Sequence, residues 1–464
     1  MPLVFKNSYS RVKEEFKPIV PGEVRMYTCG PTVYNFAHIG NFRAYTFEDL
    51  LRRYLKYKGY TVTQVMNLTD IDDKIIKGTI QQKVTLKQFT APYIKAFFED
   101  MDNLGIERAE IYPAATDHIP EMVALVKKLV ERGHAYEVNG DYYFKIASFP
   151  PYGRLANLDM EGLKPGARVQ ADEYEKESVS DFALWKAHDE SDGDVFWETE
   201  IGKGRPGWHL ECSAMSQKYL GTTFDIHTGG VDNMFPHHEN EIAQSEGASG
   251  KRFVNYWLHC EHLIVEGRKM SKSLGNYFTL RDILDKGYSG SVVRYLLLAT
   301  HYRQQLNFTF EGLDAARHAL ERYNDFIANL SDFAGGRSDG SAEMTISAAL
   351  KGFEENLDDD LNISGALGVL FDFIRDINRL KAENRLSEDE RDKALFAIRR
   401  FDTVLNLQTR VVSLDTEIEE LIRQRAEARK QKNFALSDKI RDNLLGRGIV
   451  LEDTPQGVKW KRKV

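Results

Sequence analysis

The feature that most constrains the fold is a strand, a helix and a second strand near the start of the chain. Residues 24–29 form an extended, largely apolar run, and apolar side chains at helical spacing follow until Gly59. A second extended run covers residues 61–68. Two strands joined through a helix lie parallel, because the crossover returns the chain to the edge where the first strand began. The sequence therefore predicts an α/β fold with a parallel sheet.

The rest of the chain divides into three further predicted parts. Residues 111–221 combine a helical stretch with a hairpin pattern that turns at Asn139 and Gly140, which indicates an inserted α+β subdomain. The parallel-sheet pattern resumes with candidate strands at 253–257 and 262–265, so the first domain is predicted to comprise two segments. We expect a helical bundle and then a small basic C-terminal domain. The predicted boundaries are 1–110 with 222–287 for the first domain, 288–410 for the bundle, and 411–464 for the last domain.

Two short segments refine this organisation. Residues 335–341, rich in Gly and Ser, are either a linker or a long loop between helices, and the sequence leaves both open. The last domain is predicted to contain a charged helix at 414–432, a second helix at 435–445 and a hairpin at 449–460.

Charge and cysteine content bound the function classes. The net charge is −8, yet residues 421–464 carry twelve Lys and Arg against five Asp and Glu, a local balance of +7. This tail is compatible with an RNA-facing surface and equally with a solvated helix. Three widely spaced cysteines are typical of a reducing compartment, and no apolar run suits a membrane span or a secretion signal. We therefore expect a cytoplasmic protein with no membrane partner.

Two motifs indicate that phosphates are bound. His38 and Gly40 lie in the turn between the first strand and its helix, where close backbone approach and the helix N-terminus favour an anion. The lysine loop, residues 269–273 with Lys269 and Lys272 beside small hydroxyls, can close over a triphosphate. Alone, the first could be an ordinary helix cap and the second a basic surface turn.

A third pattern offers metal ligands. His237 and Glu241 are four residues apart on a predicted helix with Pro236 in its first position and Asp232 or Asn233 as its cap. His238 is three residues from Glu241, so spacing alone does not choose between the histidines. Two further candidates are Cys29, at the end of the first strand, and Cys212. Two thiolates, an imidazole and a carboxylate form a plausible zinc set, whereas three core cysteines would be the plain alternative.

In their order along the chain, the His38 turn and the lysine loop resemble the signatures of class I aminoacyl-tRNA synthetases. One position departs from that family: Asn41 stands where a second histidine is usual, and it cannot carry a positive charge. The stretches 27–34, 67–74, 207–213, 235–241 and 358–362 resemble those of the cysteinyl-tRNA synthetases in particular. The resemblance implies a Rossmann-like catalytic domain and one zinc ion per chain, held by Cys29, Cys212, His237 and Glu241.

The same resemblance implies the reaction. L-cysteine and ATP would give cysteinyl-adenylate, which is transferred to tRNA(Cys), with Mg²⁺ accompanying ATP and the protein acting as a monomer. Zinc would distinguish cysteine from serine, because a thiolate is the better ligand. The implied catalytic residues are His38, Asn41, Lys269 and Lys272. The implied ATP-binding residues are Thr32, His38, Gly40, Asn41, Gly229, Asp232 and Lys272, and the implied amino-acid pocket is lined by Thr69, Trp208 and His227.

Two other functions fit part of the pattern. A ligase that couples activated cysteine to an amino sugar would share the catalytic half but lack the tRNA-binding end. A non-catalytic RNA-binding relative would show damaged motifs, and Asn41 is the only departure.

Overall fold

The computed structural model describes residues 2–158, 181–408, 416–430, 433–446, 449–454 and 457–462. Parts of the predicted insertion (159–180), of the predicted bundle (409–410) and of the predicted last domain (411–415, 431–432, 447–448, 455–456, 463–464) lie outside the described residues. The strands are β1 (Val4–Lys6), β2 (Lys13–Glu15), β3 (Glu23–Thr28), β4 (Thr61–Met66), β5 (Ala135–Val138), β6 (Asp141–Phe144), β7 (Phe182–Ala187), β8 (Trp197–Thr199), β9 (Gly202–Pro206), β10 (Phe224–Gly230), β11 (Val254–Cys260), β12 (Leu263–Val265), β13 (Arg268–Lys269), β14 (Leu306–Phe308), β15 (Ile449–Thr454) and β16 (Gly457–Arg462).

The helices are α1 (Ile39–Tyr57), α2 (Asp73–Gln82), α3 (Leu86–Asn103), α4 (Ile119–Glu131), α5 (Trp208–Leu220), α6 (His237–Ser249), α7 (Leu280–Asp285), α8 (Gly290–Ala299), α9 (Phe310–Ser331), α10 (Ser341–Asp358), α11 (Ile363–Ala382), α12 (Glu388–Leu405), α13 (Thr416–Lys430) and α14 (Phe434–Gly446). No helix among these described residues combines the length and the apolar character that crossing a bilayer requires.

The predicted parallel sheet is confirmed. Strands β3, β4, β10 and β11 pair in the order β11-β10-β3-β4, and all three pairings are parallel. Helix α1 makes the crossover from β3 to β4. It begins with a capping box, in which the His38 side chain accepts from the backbone N–H of Asn41 and the Asn41 side chain accepts from that of His38. Gly59, with φ of 91°, follows its end as the sequence predicts.

The insertion contains a five-stranded antiparallel sheet in the order β5-β6-β7-β9-β8. Its first hairpin turns at Asn139 and Gly140, both with positive φ, which confirms the predicted turn. Helix α4 matches the predicted helical stretch. Helix α5, which closes this segment, packs against α6 and against strands of the parallel sheet, so it brings Cys212 to the sheet.

Two sequence predictions were wrong. The run 262–265 does not extend the parallel sheet, because β12 pairs with β13 and β14 in a separate three-stranded sheet. Pro236 is the residue before α6 and not its first residue, and neither Asp232 nor Asn233 caps that helix. The reason is that residues 231–234 form a 3₁₀ turn of their own, after which the chain extends at Phe235 before the helix starts.

Past residue 287 the structure is mainly helical, as predicted, and the hydrophobic core continues from the α1 side of the sheet into helices α8 to α12. The loop at 335–341 lies between α9 and α10. Its backbone N–H groups at Gly336 and Arg337 donate to the carbonyls of Leu386 and Asn384. This packing favours the interhelical loop over the linker. In the last part of the chain, β15 and β16 form the predicted hairpin.

Candidate functional site

A buried group of sulfur, nitrogen and oxygen atoms lies where β3 ends. Cys29 follows β3, Cys212 lies in α5, and His237 and Glu241 lie one turn apart in α6. One ligand atom from each falls within 4.8 Å of all the others. His237 Nε2 is 3.1 Å from Glu241 Oε1, as expected for two side chains on the same helix face. The structure therefore brings together the four residues that the sequence proposed as ligands.

The same place offers a second possible ligand group. Cys29 and Glu241 also meet His227 and His238 within 4.8 Å. His238 Nε2 lies 3.2 Å from Cys29 Sγ, and His227 Nε2 lies 3.0 Å from Glu241 Oε2. The geometry thus permits either His237 or His238 as the metal ligand, as the spacing in the sequence does.

Burial controls the protonation of these groups. The hydrogen bond with Cys212 and burial raise the pKa of the Cys29 thiol well above its usual value. Burial raises the pKa of Glu241 and lowers the pKa of His237. Each of these three groups therefore favours its neutral form. A divalent cation would reverse this preference for the thiol and the carboxyl, because it stabilises anionic ligands.

The fit to a cation rests on Glu241 as well. Its Oε1 atom is fully buried and, apart from the contact with His237 Nε2 at 3.1 Å, has no polar partner that satisfies it as a hydrogen bond among the described residues. An oxygen in that position is stable when a cation or a donor contacts it. Two thiols, an imidazole and a carboxylate around one point are a donor set that suits zinc.

The three residues expected to line the amino-acid pocket surround this group. Trp208 stacks on His237 with ring centroids 4.2 Å apart, and His227 stacks on Trp257 at 4.5 Å. Thr69 Oγ1 donates to Glu211 Oε2 at 2.8 Å and accepts from Asn67 Nδ2 at 3.0 Å. The buried Glu211, which the sequence did not single out, is adjacent to Cys212 in a stretch that carries the family resemblance.

The His38 turn and the lysine loop lie against each other. A Cβ atom on Gly40 would lie 3.0 Å from the His38 ring and 3.4 Å from Met270 Cε, so glycine permits this close approach. His38 Nδ1 accepts from the Asn41 backbone N–H at 3.2 Å, while Asn41 Oδ1 accepts from the His38 N–H at 3.1 Å. The Asn41 side chain thus has a structural role in the helix cap.

His38 is neutral in this setting. Burial lowers its pKa to about 4, and Lys272 adds to the effect. Because Nδ1 accepts a hydrogen bond, the proton of the neutral ring lies on Nε2. That nitrogen can donate to a phosphate oxygen.

Tyr277 joins the two motifs and was not predicted. The Lys272 ammonium lies 5.1 Å from the centre of the Tyr277 ring, and the His38 ring meets the same ring edge-on at 5.4 Å. Lys269 is exposed, and its carbonyl accepts from Asn276 Nδ2 at 3.0 Å. An aromatic residue a few positions after two lysines was the available signal, since cations favour aromatic faces.

The remaining predicted nucleotide residues lie at the same edge of the sheet. Thr32 forms an isolated parallel bridge with Thr69. Gly229 is near the end of β10, and a Cβ there would lie 2.7 Å from the His238 ring. Asp232 is exposed in the 3₁₀ turn, with Oδ1 close to Gly230.

Comparison with known proteins first gives the class. Residues 15–318 match the family described as tRNA synthetases class I (C) catalytic domain, and residues 352–409 match the DALR domain. The Mycobacterium tuberculosis methionyl-tRNA synthetase in complex with methionyl-adenylate has a similar fold. Its TM-score is 0.59 at 13% identity, with 83% of this chain and 90% of that chain covered. The fold and the two motifs are those of a class I aminoacyl-tRNA synthetase.

The particular family follows from closer relatives. The cysteine-tRNA ligase of Protochlamydia amoebophila is 53% identical, over 100% of this chain and 98% of that protein. That of Brachyspira hyodysenteriae is 54% identical, with 99% of each chain covered. Residues 412–460 match the cysteinyl-tRNA ligase anticodon binding domain. The chain belongs to the cysteine-tRNA ligase family.

Proposed function

We propose that this chain activates L-cysteine with ATP and transfers it to tRNA(Cys), and that bound zinc selects the substrate thiol. The observation that carries the proposal is the buried group formed by Cys29, Cys212, His237 and Glu241 at the edge of the parallel sheet. Cysteine and serine differ in one atom, and a pocket that only excludes by shape separates such isosteres poorly. Zinc, when bound, prefers a thiolate to a hydroxyl and lowers the pKa of the thiol.

The number of thiolates favours the ligand set with His237 over the set with His227 and His238. The first set contains two thiolates, which suit zinc better than one. Each candidate histidine has a partner on its other nitrogen, since His237 Nδ1 is 2.9 Å from His209 Nδ1 and His238 Nδ1 is 2.8 Å from His259 Nε2. Such outer partners orient metal-binding histidines.

On the nucleotide side, the cysteine carboxylate attacks the α-phosphate of ATP and pyrophosphate leaves. Neutral His38 donates from Nε2 to a phosphate oxygen near the N-terminus of α1, where the helix dipole favours negative charge. Lys272, assisted by Lys269, stabilises the charge that develops on the leaving group. Mg²⁺ accompanies ATP. Further contacts to ATP are assigned to Thr32, Gly40, Asn41, Gly229 and Asp232, and the amino-acid pocket to Thr69, Trp208 and His227.

The transfer step needs tRNA, and the match of residues 412–460 to an anticodon-binding domain supports this partner. The same match disfavours a ligase for amino sugars, which would have no use for such a domain. We propose four domains: the catalytic domain (1–110 with 222–287), the inserted subdomain (111–221), the helical bundle (288–410) and the small C-terminal domain (411–464). We also propose a monomer that acts in the cytoplasm, where tRNA charging serves protein synthesis.

The reaction is tested by amino-acid-dependent exchange of label between pyrophosphate and ATP. Cysteine should support exchange and serine should not, at equal concentration and with the zinc content measured in the same sample. Equal exchange with both amino acids would contradict selection by zinc. Absence of exchange with cysteine in a zinc-loaded, folded protein would contradict the activation step.

The ligand set is tested separately by metal analysis. Cys212→Ser and His237→Ala should lose zinc, while His238→Ala should retain it. Cys260→Ser is the matched control, because Cys260 is a buried cysteine that belongs to neither ligand group. Zinc lost from His238→Ala and kept in Cys212→Ser would assign the ion to the second set.

A further inference from the structure

Glu211 is a buried carboxylate with one unused oxygen. Its side chain is 1% exposed, and no ion pair among the described residues includes it. Oε2 accepts from Thr69, whereas Oε1 has no hydrogen-bond partner within the described part of the chain. Burial raises the pKa of Glu211 well above its usual value, so its ionised form is unfavourable unless a donor or a cation reaches Oε1. The missing partner is therefore expected to come from outside the chain.

The hydrogen bonds of Thr69 limit what that partner can be. Its hydroxyl gives its one proton to Glu211 and accepts from Asn67, whose own Oδ1 accepts from the Gly30 N–H at 2.8 Å. Thr69 has one lone pair left and no proton to donate. When Glu211 is ionised, Thr69 and Glu211 thus present acceptors only. Such a pair suits a cationic donor and repels a carboxylate.

The position of Glu211 further limits which ligand group can contact its free oxygen. It precedes Cys212 on α5, yet neither possible metal group includes its oxygens. The carboxylates of Asp70 and Asp72 also lie near enough to act on it electrostatically. A cation that carries a thiol close by could place its sulfur at the metal group and its charge at Glu211.

We propose that Glu211 binds the α-ammonium group of the amino-acid substrate, with Thr69 as a second acceptor. This inference rests on the proposed function. In cysteine the ammonium is attached to the carbon next to the one that bears the thiol, so the thiol would reach the metal that Cys212 helps to hold while the ammonium contacts the adjacent Glu211. Glu211 then selects α-amino thiols over thiols without an amino group.

The test measures direct binding of three thiols to the zinc-loaded full-length protein by calorimetry. The ligands are cysteine, cysteamine, which lacks the carboxylate, and 3-mercaptopropionate, which lacks the ammonium. In Glu211→Gln, the dissociation constants of cysteine and cysteamine should rise about ten- to a hundredfold, the usual range for a hydrogen bond to a charged group. That of 3-mercaptopropionate should change by less than about twofold, because it lacks the group concerned. Asp358→Asn, a buried carboxylate in α10, is the control and should bind all three as the wild type does.

Unchanged cysteine binding in Glu211→Gln, or an equal loss for all three thiols, would overturn the assignment. Should Glu211→Gln not fold, Glu211→Asp shortens the same carboxylate and should show the same selective loss. Serine serves as the internal check on the proposed function. A wild-type protein that binds serine as tightly as cysteine overturns thiol selection, whereas a wild type that selects cysteine while Glu211→Gln binds it normally overturns only the role of Glu211.

Discussion

The ion pair between Asp49 and Arg294 predicts a large and asymmetric effect on stability. Arg294 Nη2 lies 2.5 Å from Asp49 Oδ2, and the side chains are 1% and 0% exposed. Arg294 also donates to the carbonyls of Leu405 at 2.8 Å and Leu104 at 3.3 Å. Arg53 approaches the same Asp49 oxygen at 2.8 Å. Removing Asp49 therefore leaves the buried Arg294 guanidinium without its carboxylate partner and close to Arg53, which keeps Glu107 at 3.3 Å.

The expected costs differ because the partners left behind differ. Asp49→Ala should lower the free energy of unfolding by about 3–5 kcal/mol, the usual cost of leaving a buried charge unpaired. Arg294→Met should cost less, about 1–3 kcal/mol, because Asp49 keeps Arg53 and the Glu107 N–H as donors. Replacing both residues by apolar ones of similar size, Asp49→Leu with Arg294→Met, should recover part of the loss.

Urea unfolding at constant pH of the wild type, Asp49→Leu, Arg294→Met and the double variant gives the coupling energy from the double-mutant cycle, and Asp49→Ala is measured beside them. Asp372→Ala, which removes an exposed partner of Arg375, is the control and should leave the unfolding midpoint unchanged. A loss below about 1 kcal/mol for Asp49→Ala would refute the reasoning, since buried charges cost more than that when unpaired. An equal loss for Asp49→Ala and Arg294→Met would refute the asymmetry.

Three further predictions concern the candidate site. Gly40→Ala should reduce pyrophosphate exchange about tenfold or more, because the added Cβ displaces the His38 ring, while thermal stability holds or rises; unchanged exchange would argue against this contact. The His38 ring should titrate by NMR with a midpoint near 4 and stay neutral at pH 7, and Lys272→Met should raise that midpoint; a value near 6.5 would contradict the burial of His38. Zinc affinity, measured against a chelator, should fall as the pH is lowered from 7.5 to 5.5, because Cys29 and Glu241 have raised pKa values and bind zinc only when deprotonated; a flat profile would exclude them as ligands.

The sheet was predictable because each of its elements carries a local signal. The capping residue His38, the stop at Gly59 and the two flanking apolar runs define the crossover without reference to the rest of the chain. Strand β12 was assigned to the wrong sheet because a short apolar run predicts a strand but does not indicate which strand it pairs with. The start of α6 was missed because Pro236 suits both the first helical position and the residue before it.

The site depended on another kind of information. His237 and Glu241 share a helix face at a spacing that the sequence shows directly. The approach of Cys29 to Cys212 is a tertiary contact that no spacing predicts; the residues themselves made the two cysteines candidates, and the family resemblance implied that they bind one ion. Glu211 and Tyr277 were missed because their roles come from neighbours distant in sequence, Thr69 for the first and His38 for the second.

The proposed metal centre draws its ligands from three separate elements, and this has a consequence for biosynthesis. Cys29 leaves the ribosome long before α6, and the whole insertion is made between Cys29 and Glu241. Closing such a long loop is slow compared with forming a local turn. We therefore expect zinc to bind only after the insertion has folded and the parallel strands have paired, because only then do its ligands lie together. Zinc binding should thus coincide with the end of folding of the catalytic domain. Chains truncated before α6 should contain no zinc, because they lack His237 and Glu241.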